Sequence, residues 1–577
     1  MNIFHDLNSK FDAKLRAYAV EYRRAVMREG EAVFSEGIAY IDAIFDLEIF
    51  DKLHEPSLIG IERILPNNEV IYILFETIAV RPRHYESASL TPDVPPVLKW
   101  DYLDRIRESW VSGGENWMEV VGVHTGYILK IVNGNMTFEK STLSPLVGSK
   151  AHIMSSEVIK AMVCIENGTK IGIIKGFNIP LEIDIYSIFR YHTGIFGFTG
   201  TGKSNLASII VRKLLHKYPE IKIVVFDIAG EYTVHLLDLL LMKNGVVYTP
   251  EPLTINRFAE SQVIPESLLD LVDEATIRGA VESVTLNRVN IQKLTLTLSS
   301  IADLLRHVVN ERPALSSLVD DAMEIINKYD PQLEFNKFTV EYPEDASKLR
   351  SILSSIRDSY SQKAYMYRDL DLILIHGYKA VKEKGLPSVS EIAAKAVTDP
   401  NYPEITIFYI PNPIEARRAI TSFIETMFRI KKLVGIGNKI FFVVDEAQEY
   451  IPDRTRADDY TLYSNIAVET LLRQGRKYSA GGLIATQRLA HLNTNALQQL
   501  HSYFVSTLPR TYDRNVVSDA FSISRSVVDK TTELDVGEWI FVSYKATRLK
   551  NVPVEVKAEN NELYIAEFLK ENFSGQT

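Results

Sequence analysis

The stretch Gly197-Phe198-Thr199-Gly200-Thr201-Gly202-Lys203-Ser204 limits what this chain can fold into more than any other. A short apolar run, Thr193–Phe196, leads into it. Lys203–Lys217 follows, with Leu206, Ile209, Ile210 and Leu214 spaced along one helical face. The order predicted is therefore strand, glycine-rich turn, amphipathic helix. Glycines let successive backbone N–H groups converge, and the helix behind them points its positive end at the same spot, which makes a cradle for a phosphate chain. In such a cradle Lys203 reaches the β- and γ-phosphates and the Ser204 hydroxyl ligates Mg²⁺. Average residue usage yields about 0.02 chance matches in a chain this long. The loop is read as a nucleotide site for ATP, built from Gly197, Thr199, Gly200, Thr201, Gly202, Lys203, Ser204 and Asn205.

The surrounding pattern alternates strand and helix. Ile221–Phe226, Glu404–Ile410, Lys439–Val444, Gly481–Thr486 and Ser502–Thr507 read as strands, and Ile414–Leu433 as a helix. Alternation of this kind implies a mostly parallel sheet covered by helices, an α/β, RecA-like core. The run Ile440-Phe-Phe-Val-Val ends in Asp445-Glu446. At a strand end Asp445 can hold the Mg²⁺ shell and Glu446 can orient and polarise the attacking water. The plain alternative is a solvated acidic turn, which the P-loop in the same chain disfavours. One strand later, Gln487 ends the run Gly482–Thr486, where an amide can hydrogen-bond the γ-phosphate or the lytic water. Arg473 and Arg476 stand at a basic helix end. Either can complement the helix dipole, or act as a finger on a neighbouring subunit's phosphate.

A GTPase reading also has residues in its favour: Asp227-Ile-Ala-Gly230 imitates one switch motif, and Asn327-Lys-Tyr-Asp330 a guanine reader. Only one helix fits between Lys203 and Ile221, which leaves no room for the switch segment and extra strand such enzymes need. Asn327–Asp330 moreover continues a helical run instead of following a strand.

Outside the core, Phe11–Leu53 shows Leu15, Tyr18, Ala19, Tyr22 and Val26 three or four apart, so residues 1–57 are predicted helical. Residues 58–175 carry short β-rich runs, Ile71–Val80, Gly126–Val132 and Val158–Ile165, suited to a small β-barrel. The core then spans 176–264 and 396–577, interrupted at 265–395 by a mainly helical insertion that holds Lys293, Arg306, Lys363, Tyr365, Tyr367 and Arg368. Two strands and a short polar tail close the chain.

The net charge of -10 argues against a chain coated in basic residues, yet leaves open a channel whose own lining grips nucleic acid. No window approaches a membrane span, and the first residues lack a signal peptide's apolar core. With a single cysteine, Cys164, a reducing cytoplasm is the expected location.

Together these residues resemble the HerA family, within the HerA/FtsK group of DNA-pumping ATPases. The resemblance covers about 176–556 without most of the insertion. His192-Thr-Gly-Ile-Phe-Gly197 resembles the family's approach to its loop. Asp227-Ile-Ala-Gly-Glu231-Tyr232 resembles an Asp-Pro-His-Gly-Glu-Tyr motif, with Ile228 and Ala229 in place of Pro and His. Gln474-Gly-Arg-Lys477 and Ala485-Thr-Gln-Arg488 are similar to two further stretches, as are Asp513 with Asn515, Gly537-Glu538 and Val552-Pro-Val554. The resemblance implies a homohexamer with ATP sites between subunits, double-stranded DNA in a central channel, a HAS-barrel-like N-terminal domain, and a partner that is a NurA-like nuclease or a defence effector. Lys363, Tyr365 and Arg368 are candidates for loops touching DNA, against a plain reading as a solvated helix end.

Overall fold

The structure, a computed structural model, describes residues 2–27, 30–85, 95–112, 116–291, 297–331, 333, 335–361, 364–376, 386–435, 437–456 and 459–573. It divides into two compact units. One comprises Met1–Pro219 and Gly481–Phe568, the other Glu220–Ala480 and Leu569–Thr577.

The first unit begins with strands β1 (Ala13–Met27), β2 (Gly30–Ile44), β3 (Leu58–Ile64), β4 (Val70–His84), β5 (Asn116–Val132), β6 (Asn135–Lys140) and β7 (Ala151–Ile153). They form an antiparallel sheet in the order β1-β2-β5-β4-β3-β7, with β6 on β5. The two ends of this order meet. Leu15 N–H donates to Ser149 O at 2.9 Å, Gly148 N–H donates to Leu15 O at 2.8 Å, and Lys14 bridges Lys150. Leu15, Ile41, Ile59, Ile73, Phe75 and Val120 pack into one apolar core on this sheet.

The helix predicted over 1–57 is thereby corrected. Ala13–Met27 and Gly30–Ile44 are a strand pair, and the α-helix among the described residues of this stretch is Leu47–His54, capped by the Asp46 carboxylate, which accepts from Ile49 N–H at 3.0 Å. The physical signal is alternation: Phe11, Ala13 and Leu15 are buried while Asp12, Lys14 and Arg16 are exposed, and Ala39, Ile41 and Ala43 repeat the pattern opposite. A spacing of three or four cannot be told from an alternating one when residues of intermediate polarity, such as Tyr18 and Ala19, stand between. Val158–Ile165, read as a strand, is likewise corrected. Ser156–Val163 is a helix whose buried Val158, Ile159, Met162 and Val163 keep helical spacing.

The same unit holds part of the larger sheet. Its strands are β8 (Thr169–Ile174), β9 (Ile179–Ile183), β10 (Thr193–Phe196), β16 (Ala480–Thr486), β17 (Ser502–Val505), β18 (Glu538–Ser543) and β19 (Val554–Ala558), ordered β16-β10-β17-β18-β19-β8-β9. β10 runs parallel to both its neighbours, and the pairs from β17 onward are antiparallel. β8, on the N-terminal side of the boundary expected near 175, pairs with β19 of the larger sheet. A helix, Asn561–Phe573, follows β19, with Ile565 and Ala566 buried, and the polar tail expected after it lies outside the described residues.

In the second unit β11 (Ile221–Asp227), β12 (Val246–Thr249), β13 (Thr285–Arg288), β14 (Ile405–Tyr409) and β15 (Lys439–Val444) pair in the order β13-β12-β14-β11-β15, all parallel. The four-residue strands β12 and β13 are too short for their pattern to show. Between β13 and β14 the chain is mainly helical, and Leu305, Val319, Leu349, Leu353 and Leu370 pack into a core of their own. Of the residues singled out in this insertion, Lys293 and Lys363 lie outside the described residues, and Tyr365 and Arg368, two of the three DNA-loop candidates, are placed only as members of the helix Tyr365–His376. Arg306 pairs with Asp303 at 2.6 Å, and Tyr367 lies under the Arg357 guanidinium. No helix among the described residues is long and apolar enough to cross a membrane.

One charge cluster fastens the first sheet. Glu119 on β5 is buried and accepts from Arg16, from Arg81 at 3.1 Å and from Arg83 at 3.0 Å, reaching to β1 and β4. Burial alone would raise its carboxyl; hydrogen bonding to Arg83 and the charge of Arg16 outweigh it and hold the group below its ordinary range. A carboxylate depressed in the folded state contributes stability above its unfolded pKa and loses that contribution as pH falls through the folded one. Glu119→Gln is expected to lower unfolding stability at neutral pH by about 1–2 kcal/mol, since the arginines are half-exposed. The gap to wild type should close in acid, as read by urea melts at the two pH values.

Candidate nucleotide site

In the first unit the loop leaves the carboxyl end of β10. Register pairs Phe196 with Thr486 on β16, so Gly197 stands level with Gln487. The contact follows from that register: Thr199 Oγ1 donates to Gln487 Oε1. Gly200 and Gly202 have φ of +82° and +92°, where a side chain is strained, and Gly202 caps the helix Lys203–Lys217. The turn is closed by Thr201 Oγ1 donating to Phe198 O at 2.9 Å, and Lys203 Nζ donates to the same carbonyl at 3.1 Å. Ser204 occupies the first turn of the helix. Backbone N–H groups, a helix N-terminus, a lysine, a hydroxyl and an amide thus come together in one place, the donor set for a triphosphate.

Asn205, expected among the nucleotide-binding residues, spends its side chain elsewhere. Its amide donates to Glu559 O at 2.9 Å and its oxygen accepts from Asn561 N–H at 2.7 Å. It joins the loop's helix to the C-terminal one, where Arg212 also grips the Asn561 side chain at 3.0 Å.

In the second unit register pairs Phe226 with Val444, so Asp227 and Asp445 end adjacent parallel strands at the same level. Both are buried. The Asp227 carboxylate accepts from Gly230 N–H at 2.7 Å and Tyr232 N–H at 2.9 Å, so the residues that imitate a GTPase switch are a self-closed turn. Burial raises Asp227 to about 6, those two N–H bonds opposing it. Burial also pushes Asp445 well above its ordinary value, and the neighbouring charges of Glu446, Glu231 and Asp227 add to the effect. Glu446 adopts φ +45°, ψ +51°, the left-handed region, and its carboxylate accepts from Gln448 Nε2 at 2.7 Å. A non-glycine residue held there stores strain of order 1–2 kcal/mol.

Arg473 and Arg476 lie exposed at the end of the helix Thr461–Gln474 and in the turn after it, Arg473 beside Glu469 at 3.5 Å. Sequence reasoning passed over Arg417. Its guanidinium is nearly buried and donates to Glu449 O at 2.5 Å, to the Glu449 carboxylate at 2.8 Å and to Asp459 O at 3.0 Å, which braces the loop behind Glu446. The available signal was a charge on the inward face of an amphipathic helix.

A glycine-bent loop between strand and helix, with a strand-end amide beside it, and a parallel sheet ending in paired acids define a P-loop ATPase. A family model described as Helicase HerA, central domain, matches residues 169–379. The chain is 24% identical over 412 residues to the DNA double-strand break repair helicase HerA of Sulfolobus acidocaldarius, covering 70% of this chain and 72% of that one. It is 23% identical over 454 residues to a probable helicase of Methanocaldococcus jannaschii, covering 77% and 78%. Among solved structures, VirB4 of Thermoanaerobacter pseudethanolicus aligns over 69% of this chain and 99% of that one, with 12% identity and a TM-score of 0.38. The chain is thus similar to the HerA family, through that model over residues 169–379 and through these relatives over most of its length.

Glu446→Ala and Glu446→Gly remove the same carboxylate and differ only by a Cβ at this positive φ. The glycine variant is expected to be more stable than the alanine one by about 0.5–1 kcal/mol, the left-handed penalty less glycine's larger unfolded-state entropy. Paired urea melts check the sign.

Proposed function

We propose that this protein is an ATP-driven translocase of double-stranded DNA, working as a homohexameric ring in DNA end processing with a nuclease. Lys203 neutralises the β- and γ-phosphates, Glu446 orients and deprotonates the attacking water, and Gln487 senses the γ-phosphate. Arg473 or Arg476 of a neighbouring copy steadies the charge that develops as the bond breaks. The residues suit a divalent cation: like charges and burial crowd Asp445, and a cation relieves that repulsion. Ser204 and Asp445 would hold Mg²⁺, which supplies charge neutralisation at the phosphates.

The observation that carries turnover, as opposed to mere nucleotide binding, is Glu446 at a strand end in a left-handed conformation that its sequence does not favour. DNA as the cargo is supported by similarity to proteins named as DNA double-strand break repair helicases. The N-terminal sheet, whose ends meet, is read as the small barrel of such proteins. Hydrolysis moves loops along the DNA backbone, so binding is indifferent to sequence and sensitive to salt.

Lys203→Ala is expected to abolish both nucleotide binding and turnover. Glu446→Gln should abolish turnover while nucleotide stays bound, and duplex DNA should stimulate the wild-type rate. Phosphate release, nucleotide retention and mass in solution with ATP and duplex test the three parts. Unchanged hydrolysis in either variant removes the catalytic assignment, and a rate indifferent to DNA removes the translocase.

A further inference from the structure

The segment Ser524–Gly537 lies between β17 and β18. Its first part is held by the N-terminal sheet. Glu36 of β2 is buried and accepts from Ser524 Oγ at 2.9 Å, Arg525 N–H at 2.6 Å and Ser526 Oγ at 3.2 Å, so a carboxylate from a distant strand caps the turn Arg525–Asp529. Next, Lys530 enters a nearly buried triad. Its Nζ lies 3.0 Å from Glu76 of β4 and 3.4 Å from Glu555 of β19, and none of the three side chains is more than 18% exposed. Burial opposes the Lys530 charge, but the two carboxylates outweigh it and keep the ammonium charged. The triad therefore ties the first sheet, the segment and the larger sheet at one point.

The other end of the segment supports the phosphate loop. One tight turn, Lys530–Glu533, separates the triad from Leu534, whose carbonyl accepts from Thr507 Oγ1 at 3.0 Å. Thr507 O in turn accepts from Phe198 N–H of the loop at 3.0 Å. Gly537 N–H donates directly to Thr201 O of the loop at 3.1 Å, and Ser506 Oγ donates to Glu538 O at 2.8 Å. Two backbone positions of the loop thus take their placement from a segment whose own placement is set by acids of the N-terminal sheet.

We propose that Lys530 is a positioning residue for the phosphate loop, and that through its pairing with Glu76 the N-terminal sheet sets how tightly this chain holds a nucleotide. The proposal rests on the P-loop reading of Gly197–Ser204. It differs from a plain docking contact in what it predicts: loss of the pair changes nucleotide affinity, not only stability. In the full chain, Lys530→Met is expected to weaken binding of a fluorescent ATP analogue about threefold to tenfold, with kcat at saturating ATP changed less. Lys530→Arg should recover most of the affinity, and the effects of Lys530→Met and Glu76→Gln should be non-additive. A folded Lys530→Met with wild-type affinity overturns the proposal. Should that variant fail to fold, Glu76→Gln retains the Lys530–Glu555 pair and decides instead, unchanged affinity there being equally fatal. Lys203→Ala runs in parallel: if it too binds the analogue normally, the P-loop reading has failed, not the coupling alone.

Discussion

Parallel strands that share a register bring their carboxyl ends to one level, and the chemistry of this chain depends on that alignment. Backbone hydrogen bonds between β10 and β16 pair Phe196 with Thr486, so the next residues, Gly197 and Gln487, emerge side by side. Bonds between β11 and β15 do the same for Asp227 and Asp445. A slip of one residue in either pair would turn every side chain of a strand to the opposite face and carry the strand-end group away from its neighbour. The strands are buried along nearly their whole length, and their apolar residues enforce the alignment far more strongly than the polar ends could.

The polar ends in fact oppose folding. Asp445 is buried among acids, Asp227 needs two backbone N–H groups to lie where it does, and Glu446 sits in a strained backbone conformation. Each is a cost that the apolar strands behind it offset. Arg417 holds Glu449 and Asp459 in the loop that follows Glu446.

How much of this the sequence disclosed depends on the range of the forces involved. The phosphate loop, the strand-end acids and Gln487 were legible because each is a local pattern, an apolar run ending in a particular residue. The N-terminal region was misread for the opposite reason. Leu15, Tyr18, Ala19, Tyr22 and Val26 satisfy helical spacing, but Leu15 lies opposite Ile41 across a strand pair, and that partner is distant in sequence. Val158 and Ile159, both β-branched, suggested a strand, yet Met162 and Val163 complete a helical face whose burial decided the outcome. Asn205 carried a loop-like address and turned out to be a fastener for the C-terminal helix, which no nearby residue reveals.

The sequence by itself determined the kind of chemistry, because a glycine turn, a lysine and two acids at strand ends have few other uses in such an order. It also determined the alternation of strand and helix in the core, where apolar runs are long enough to settle the period. Tertiary structure alone decided the strand pair at the N-terminus, the grouping of Glu119 with three arginines, the brace of Arg417 and the tie through Lys530. The physical reason is common to all four. The strand pair needs the rest of its sheet to bury one face, the other three join residues far apart in the chain, and in every case the partner is chosen by the packing of the backbones that carry it.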